Sequence, residues 1–254
     1  MSPLPTLFLS HGVPDLPIQS GSTPTFLRQL AQTLPRPSAI LAISAHWSTA
    51  QPTLSTASHP QTLYDFGGFP QVSQLHYPAP GAPDVAAKAI ARLTEAGFSA
   101  TADSSRGLDH GVWTPLLLAY PDACIPVTQL SVQPHHAAEY HLQLGAALAP
   151  LRREGVLIVG SGAATHNLRA FRPEYDASPP PWAVAFDRWL AAAIARDDRA
   201  ALLTYQQAPY AAQNHPTAEH LLPLFVALGA GGPGRQIHQG FTYGAFSMAA
   251  YRFS

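Results

Sequence analysis

The chain is poor in cysteine and in charged residues, and each shortage excludes a class of protein. Its 254 residues include one cysteine, Cys124, which excludes an internal disulfide and a zinc site built from cysteines. We expect Cys124 to be a core thiol in a reducing cytoplasm, because it lies in an apolar segment. The 14 basic and 15 acidic residues give a net charge of −1, and Lys and Arg form no run. The sequence therefore offers no electrostatic surface for nucleic acid or an anionic membrane.

Long apolar runs are missing as well. No run reaches the roughly 18 residues that a membrane span requires, and the N-terminal MSPLPTLFLSHG lacks the basic and long apolar parts of a signal peptide. We therefore expect a soluble, cytoplasmic protein. Its partner should be a small neutral or weakly charged molecule.

Histidine and proline are, in contrast, abundant. The chain has 12 histidines and 26 prolines, although only 11% of its residues are charged, so histidine is the prominent titratable residue. Proline predicts many rigid loops. Histidine is the side chain best suited to proton transfer near neutral pH and to metal binding.

Apolar runs alternate with helical patterns along the chain. Strands are predicted at 6–10, 39–44, 124–131, 156–161 and 236–244. Helices are predicted at 23–34, 83–97, 137–155, 181–198 and 217–231. This alternation predicts a single α/β domain over 1–254, with a central, mostly buried mixed sheet flanked by helices.

The interval 46–82 interrupts this alternation. It contains proline, glycine and aromatic residues, as in YDFGGFP and HYPAPGAP, without helical periodicity. A loop of that length is usually functional. We predict that it forms a lid or a wall over a pocket.

Three apolar strands run into a histidine: TLFLS into His11, AILAISA into His46, and VLIVGSGAAT into His166. Ligands of α/β sheets bind outside the carboxyl ends of the strands, so these imidazoles are expected to converge. One such histidine is commonly a satisfied core residue, but burying three unpaired imidazoles is costly unless a site uses them. We predict a shared metal or catalytic site at the C-terminal ends of the strands.

The glycine-rich segment 160-GSGAAT-165 fits neither of the two motifs that it resembles. It lacks the last glycine of a dinucleotide-binding G-x-G-x-x-G, and Val159 precedes Gly160 and Ser161 where G-x-S-x-G would need a glycine. We expect its small residues to let the backbone pass close to a ligand.

Further polar residues are candidates for the same site. His215, Glu219 and His220 lie around a predicted helix start and offer imidazole and carboxylate ligands for iron, zinc or manganese. Asp109 and His110 form either a polar pocket contact or a surface turn. The remaining histidines are expected to be exposed or structural: His135 and His136 exposed, and His59, His76, His141 and His238 structural.

Taken together, the ordered motifs resemble the class III extradiol ring-cleaving dioxygenases, the family of the LigB-type enzymes, and within it the DOPA 4,5-dioxygenase-like branch. The resemblance covers most of the chain through SHGVPD (10–15), SAHW (44–47), YDFGGFP (64–70), YPAPGAP (77–83), LDHGVWTPL (108–116), GSGAATHNL (160–168) and NHPTAEHLLPL (214–224).

The resemblance implies a role for each of five histidines. His11 and His46 match the first two metal ligands, and His220 matches the third, where LigB-type relatives place a glutamate. His166 matches the acid/base histidine beside the metal, and with zinc bound it is a possible fourth ligand. His110 matches a second pocket histidine that hydrogen-bonds substrate or oxygen.

The implied activity is the insertion of O₂ into a catechol, DOPA-like or otherwise substituted, which opens the ring to a muconic semialdehyde. Fe(II) is the metal expected for activity, and Zn(II) is a possible bound metal. Phe66, Phe69 and Tyr77 of the lid would cover the ring and exclude water, and Asp109 would be a pocket contact. Ala163, Val13 and Ala218 depart from the branch pattern, which leaves the substrate open.

Two alternatives use the same scaffold. A zinc-dependent hydrolase would attack an ester or amide through a metal-bound water. A metal-binding protein without turnover, similar to the Memo-type proteins, would use the cleft to recognise a partner. The sequence does not identify the catechol, the ring position that is cleaved or the oligomeric state.

Overall fold

The structure of the protein, a computed structural model, describes residues 2–254 and contains one large mixed sheet. Its eight strands are β1 (Thr6–Ser10), β2 (Ala39–Ser48), β3 (Thr53–Ser55), β4 (Thr101–Asp103), β5 (Val127–Val132), β6 (Val156–Gly162), β7 (Gly234–His238) and β10 (Ala250–Phe253). A separate pair is formed by β8 (Phe241–Thr242) and β9 (Phe246–Ser247). The predicted mixed α/β sheet is confirmed.

The strand order of the large sheet is β4-β3-β5-β2-β6-β1-β10-β7. The central strands β5, β2, β6 and β1 are parallel to one another, whereas β10 pairs antiparallel with both β1 and β7. Every residue of β1, β5 and β6 is buried. Such unbroken apolar strands are typical of a parallel sheet covered on both faces.

Helices cover the two faces of the sheet. They are α1 (Ser22–Leu30), α2 (Pro83–Glu95), α3 (His110–Ala119), α4 (Ala138–Leu148), α5 (Pro181–Ala195), α6 (Arg199–Leu203), α7 (Ala211–Asn214) and α8 (Leu222–Gly231). Both α2 and α5 begin at a proline, whose fixed φ suits the first helical position. None of these helices, within residues 2–254, has the length and apolar character needed to cross a membrane.

Alternate residues of the central strands serve two separate cores. Phe8 belongs to a core with residues of α2, α4, α5 and α8, whereas its neighbours Leu7 and Leu9 belong to a core with α1 and α3. This alternation follows from the two-residue period of a strand. The sheet is therefore the middle of three layers.

Several predicted boundaries are wrong for identifiable reasons. Helix α3 was not predicted, because nine of its ten residues are buried and it shows no polar face. The predicted helix 217–231 begins only at Leu222, so the segment with His215 and His220 is a turn that leads into α8. The third predicted strand begins at Val127, and Cys124 before it is exposed rather than in the core.

Candidate functional site

Five histidines line one cavity of about 580 Å³ at the carboxyl ends of the central strands. They are His11 after β1, His46 within β2, His110 at the start of α3, His166 four residues after β6, and His220 just before α8. The three strand-end histidines of the sequence do converge, and two more join them.

The small residues of β6 allow this convergence. A Cβ at Gly162 would lie 2.0 Å from the backbone oxygen of His220, and one at Gly160 would lie 2.3 Å from that of Pro223. Glycine is therefore required for the turn before α8 to pass against β6. These glycines therefore have a packing role against this turn.

His11 and His46 face each other across the floor of the cavity, with their Nε2 atoms 3.1 Å apart. The Ser161 hydroxyl donates to the Gly111 carbonyl, so it accepts a hydrogen bond from His11 Nδ1–H at 2.9 Å. This assigns the proton of His11 to Nδ1 and leaves its Nε2 lone pair free. Two nitrogens that each lie about 2.1 Å from one ion, at roughly a right angle, are about 3 Å apart. The pair fits a metal.

His220 adds a third free nitrogen. Its Nδ1–H donates to Glu219 Oε1 at 3.1 Å, and its buried Nε2 has no hydrogen-bond partner within the protein. Buried polar atoms are normally satisfied, so an orphaned nitrogen at this place is explained by a ligand. The ring centroid of His220 lies 4.9 Å from that of His46 and 5.6 Å from that of His11.

The tightest groups of potential ligand atoms differ from the predicted metal ligands, which are His11, His46 and His220. One contains His11, His46 and His110, and the other contains His166, Glu219 and His220; within each group the ligand atoms lie within 4.8 Å of one another. The site thus holds a histidine triad that can bind a metal, and the second group adjoins it through His220.

Burial and mutual repulsion keep the imidazoles of His46, His166 and His220 neutral. Desolvation, followed by the neighbouring imidazoles, lowers the pKa of His46 and that of His166 to about 3. Burial also lowers the pKa of His220 to about 4, against the opposing effect of Glu219. Neutral imidazoles carry the lone pairs that a metal requires. The site is therefore prepared for a cation near pH 7.

His166 lies beside the candidate metal ligand His220. Its ring stacks on that of His220, with centroids 3.4 Å apart and planes 7° apart. Its backbone N–H donates to the Asn214 carbonyl at 3.0 Å, which fixes the loop after β6 against the turn before α8. The imidazole therefore has a fixed place next to a candidate ligand.

Asp65 is a site residue that the sequence analysis missed. Its Oδ1 accepts from both the backbone N–H and the Nδ1–H of His110, each at 3.0 Å, and its Oδ2 lies 3.4 Å from His46 Nδ1. Burial alone would raise the pKa of Asp65, but the hydrogen bonds from His110 hold it at about 2. Its place in the motif YDFGGFP, inside the predicted lid, was the available signal.

Two predicted pocket residues lie outside the cavity. Tyr77, near the end of the lid segment, is fully buried, and its hydroxyl donates to the Tyr120 carbonyl at 3.2 Å. Asp109 is fully buried before α3, where its carboxylate accepts hydrogen bonds from Ser44, Arg106 and Gln129 at 2.6, 2.7 and 2.9 Å. Asp109 therefore anchors the start of α3, which begins with His110.

The lid does contribute to the cavity. Phe66 and Phe69 line it, together with Asp65. Three apolar residues that were not predicted border it from other segments: Leu168, Phe171 and, in β9, Phe246. Of the three departures from the branch pattern, Val13 lines the cavity, whereas Ala163 and Ala218 do not.

The remaining histidines lie away from the cavity. His215 is buried with its Nε2 bonded to the Ala164 carbonyl at 2.9 Å, and His141 is buried between β5 and α4. His238 bonds to Thr23 at 2.9 Å. As predicted, His135 and His136 are exposed; His59 and His76 are exposed as well.

Comparisons with known proteins cover nearly the whole chain. Residues 7–254 match the family described as the catalytic LigB subunit of aromatic ring-opening dioxygenase. A 4,5-DOPA dioxygenase extradiol of Beta vulgaris is 44% identical over 98% of this chain and 96% of its own length. One of Escherichia coli (strain K12) is 40% identical over 89% of this chain and 85% of its own length.

A solved structure agrees with the fold. The crystal structure of an uncharacterized protein from Escherichia coli K12 superimposes with a TM-score of 0.85 and 35% identity, covering 99% of this chain and 100% of that one. Neither the hydrolase alternative nor the non-catalytic one gains support from these relatives. The chain belongs to the LigB-type class III extradiol dioxygenases, in their DOPA dioxygenase-like branch, and is an extradiol ring-opening enzyme.

Proposed function

We propose that the protein, as one catalytic domain over 1–254, is a non-haem Fe(II) dioxygenase. It inserts both atoms of O₂ into a DOPA-like or otherwise substituted catechol and opens the ring to a muconic semialdehyde. The observation that carries this proposal is the 3.1 Å approach of the Nε2 atoms of His11 and His46, beside the orphaned Nε2 of His220.

His11, His46 and His220 would hold the iron. When bound, Fe(II) supplies adjacent positions for the catechol oxygens and O₂ and exchanges electrons with them, which zinc does not do. Three protein ligands leave those positions open, whereas four would crowd them. The family is metal-dependent, and a histidine set of this kind suits iron.

His166 would act as the acid/base residue. An imidazole is the side chain best suited to accept the proton of a catechol hydroxyl near neutral pH. The same nitrogen then returns that proton to an oxygen of the opening ring. Its stacked position on His220 brings it within reach of a molecule bound at the ligands.

His110 and the aromatic lid would complete the reaction chamber. Asp65 accepts from the Nδ1–H of His110, which leaves the Nε2 of His110 to accept a hydrogen bond from a substrate hydroxyl. Phe66, Phe69 and Phe246 surround the bound ring and exclude bulk water. Water exclusion strengthens the hydrogen bonds inside the cavity.

Oxygen uptake tests the proposal. Apo-protein is reconstituted anaerobically with Fe(II) and exposed to O₂ with DOPA, protocatechuate or catechol, against a zinc-loaded control. Uptake only with iron, together with a yellow ring-opened product, is expected. A filled iron site without uptake on any catechol would contradict it, and cleavage of esters or amides by the zinc-loaded protein would support a hydrolase instead.

A further inference from the structure

A second cavity, of about 280 Å³, is lined by α1, the turn after it and strands β1, β10 and β7. It shares no lining residue with the histidine cavity. Its apolar lining consists of Leu7, Phe26, Leu30, Leu34 and Ile237, and its polar lining consists of Gln29, Thr33, Arg235 and Arg252. Within residues 2–254 this lining therefore offers hydrogen-bond donors and two cations but no acidic side chain.

One aromatic side chain of this lining is held in place. The Phe26 ring of α1 stacks on the His238 ring of β7, with centroids 4.5 Å apart and planes 8° apart. His238 Nε2 in turn lies 2.9 Å from the Thr23 hydroxyl of α1, within hydrogen-bond distance. Helix α1 is thus fixed to β7 at two points, so the cavity is formed before any ligand binds.

The strand register places the two arginines side by side. Arg252 of β10 pairs with Arg235 of β7 and, on its other side, with Leu7 of β1. Residues that pair directly across antiparallel strands share one face of the sheet, and like charges in such a pair destabilise it. The face with these three residues borders the cavity. An anion between the two guanidinium groups would remove the repulsion.

No acidic group of residues 2–254 neutralises Arg235 or Arg252. The arginines that form ion pairs with acidic side chains are Arg36, Arg92, Arg106, Arg196 and Arg199. Ser254 borders a neighbouring cavity of about 320 Å³ that Arg235 and Arg252 also line, but its carboxylate forms no ion pair with either of them. Two neighbouring cations without a counterion attract an anion from solution.

We propose that this second cavity binds a small organic acid with an apolar body. Its carboxylate lies between Arg235 and Arg252, whose planar guanidinium groups match the geometry of a carboxylate. Its apolar body packs against Phe26, Leu30 and Ile237 and is removed from water there. An inorganic anion would use the arginines alone and leave the apolar lining uncovered. The site is separate from the histidines and goes beyond the proposed function.

The probe is 4-phenylbutyrate, and its matched control is 4-phenylbutyramide, which keeps the same carbon skeleton and lacks the charge. Affinities are measured by isothermal titration calorimetry on the zinc-loaded protein, without a catechol. We expect the acid to bind at least about tenfold more tightly than the amide, because hydrogen bonds between charged groups are the stronger ones. Acetate, which lacks the apolar body, should bind at least about tenfold more weakly than 4-phenylbutyrate.

Two substitutions test the location. Arg235→Gln and Arg252→Gln each remove one guanidinium group, so each should lower the affinity for 4-phenylbutyrate about tenfold. Arg153→Gln is the control, because Arg153 is exposed, lies outside the cavity and loses the same charge. Its affinity should match that of the original protein. The acid should also raise the Tm of the original protein more than that of either cavity variant.

Binding that prefers the acid to the amide, and that weakens in both cavity variants but not in Arg153→Gln, supports the proposal. Binding that persists in both cavity variants places the acid elsewhere, for example at the zinc, and overturns it. Equal affinities for acetate and 4-phenylbutyrate would reduce the site to an ordinary anion contact and overturn it, as would no binding up to about 10 mM. None of these measurements uses O₂, so a failure of the ring-opening activity leaves them unaffected.

Discussion

Asp65 and His110 are joined twice, since one carboxylate oxygen accepts from both the backbone N–H and the ring Nδ1–H of His110 at 3.0 Å. The other oxygen lies 3.4 Å from His46 Nδ1. A single residue of the lid thus orients two histidines of the cavity. Carboxylates in this position fix the orientation of an imidazole and increase its basicity toward a metal.

Asp65→Asn should therefore weaken metal binding. Asparagine keeps one acceptor for His110, but its NH₂ group cannot accept from His46 Nδ1. We expect the affinity for Fe(II) or Zn(II) to fall about 10- to 100-fold, measured by chelator competition. Asp84→Asn, at an exposed position in the first turn of α2, is the control. Unchanged metal affinity in Asp65→Asn would show that Asp65 does not support metal binding.

His11→Ala and His166→Ala should separate ligand from acid/base residue. His11→Ala removes one of the two facing Nε2 atoms, so the protein should lose its metal on desalting. His166→Ala should keep iron and anaerobic catechol binding but lower kcat about 10²- to 10⁴-fold. Metal content and oxygen uptake are measured on both. Loss of iron in His166→Ala would make His166 a ligand.

His220 and Glu219 compete for the role of third ligand. Glu219 Oε1 already accepts from both His220 Nδ1–H and the Thr217 hydroxyl, whereas His220 Nε2 is free. We therefore expect His220→Ala to empty the site and Glu219→Gln to retain metal with affinity lowered about tenfold. Full occupancy in His220→Ala with loss in Glu219→Ala would assign the carboxylate as the ligand.

His141 should contribute an acid-sensitive part of the stability. Its Nε2 accepts from Gln133 N–H at 3.2 Å and its Nδ1–H donates to the Ala137 carbonyl at 3.1 Å, so only the neutral ring satisfies both contacts. Burial lowers the pKa of His141 from 6.5 to about 4. The unfolded chain therefore binds a proton that the folded chain rejects between these values, and stability falls as the pH decreases.

Urea unfolding between pH 7 and pH 4 measures this effect. His141 alone contributes a slope of at most about 1.4 kcal/mol per pH unit in that range. His141→Gln should be less stable at pH 7 and lose less stability on acidification. His59→Gln, at an exposed position, should follow the original protein. Equal slopes in all three proteins would contradict the assignment.

The central strands and the convergence of the histidines at their ends could be predicted from the sequence. His11, His46 and His166 each follow a buried apolar run, and the parallel order of β1, β2 and β6 brings them to one edge. Helix α3 was missed because it is buried on all sides and its composition matches that of a core strand. Strands β3, β4 and β10 are too short for a period of two to be recognised.

Contacts between distant loops could not be predicted in this way. Asp65 reaches His110 only because the lid folds back over the start of α3, where Thr62 and Leu108 form a parallel bridge. Leu168 and Phe171 are ordinary loop residues in the sequence, and only the fold places them at the cavity. Asp109 lies next to a histidine of the site in sequence, but its buried carboxylate binds Ser44 and Arg106 rather than a ligand.

The position of β1 also determines when the metal centre can form. Thr6 pairs with Ile158 of β6 and with Phe253 of β10, so both neighbours of the strand before His11 are synthesised much later. Pairing between such distant segments is slow, and an unpaired strand is prone to aggregate. A metal is therefore expected to enter only after synthesis is complete, and a chain shortened by β10 should precipitate rather than bind metal.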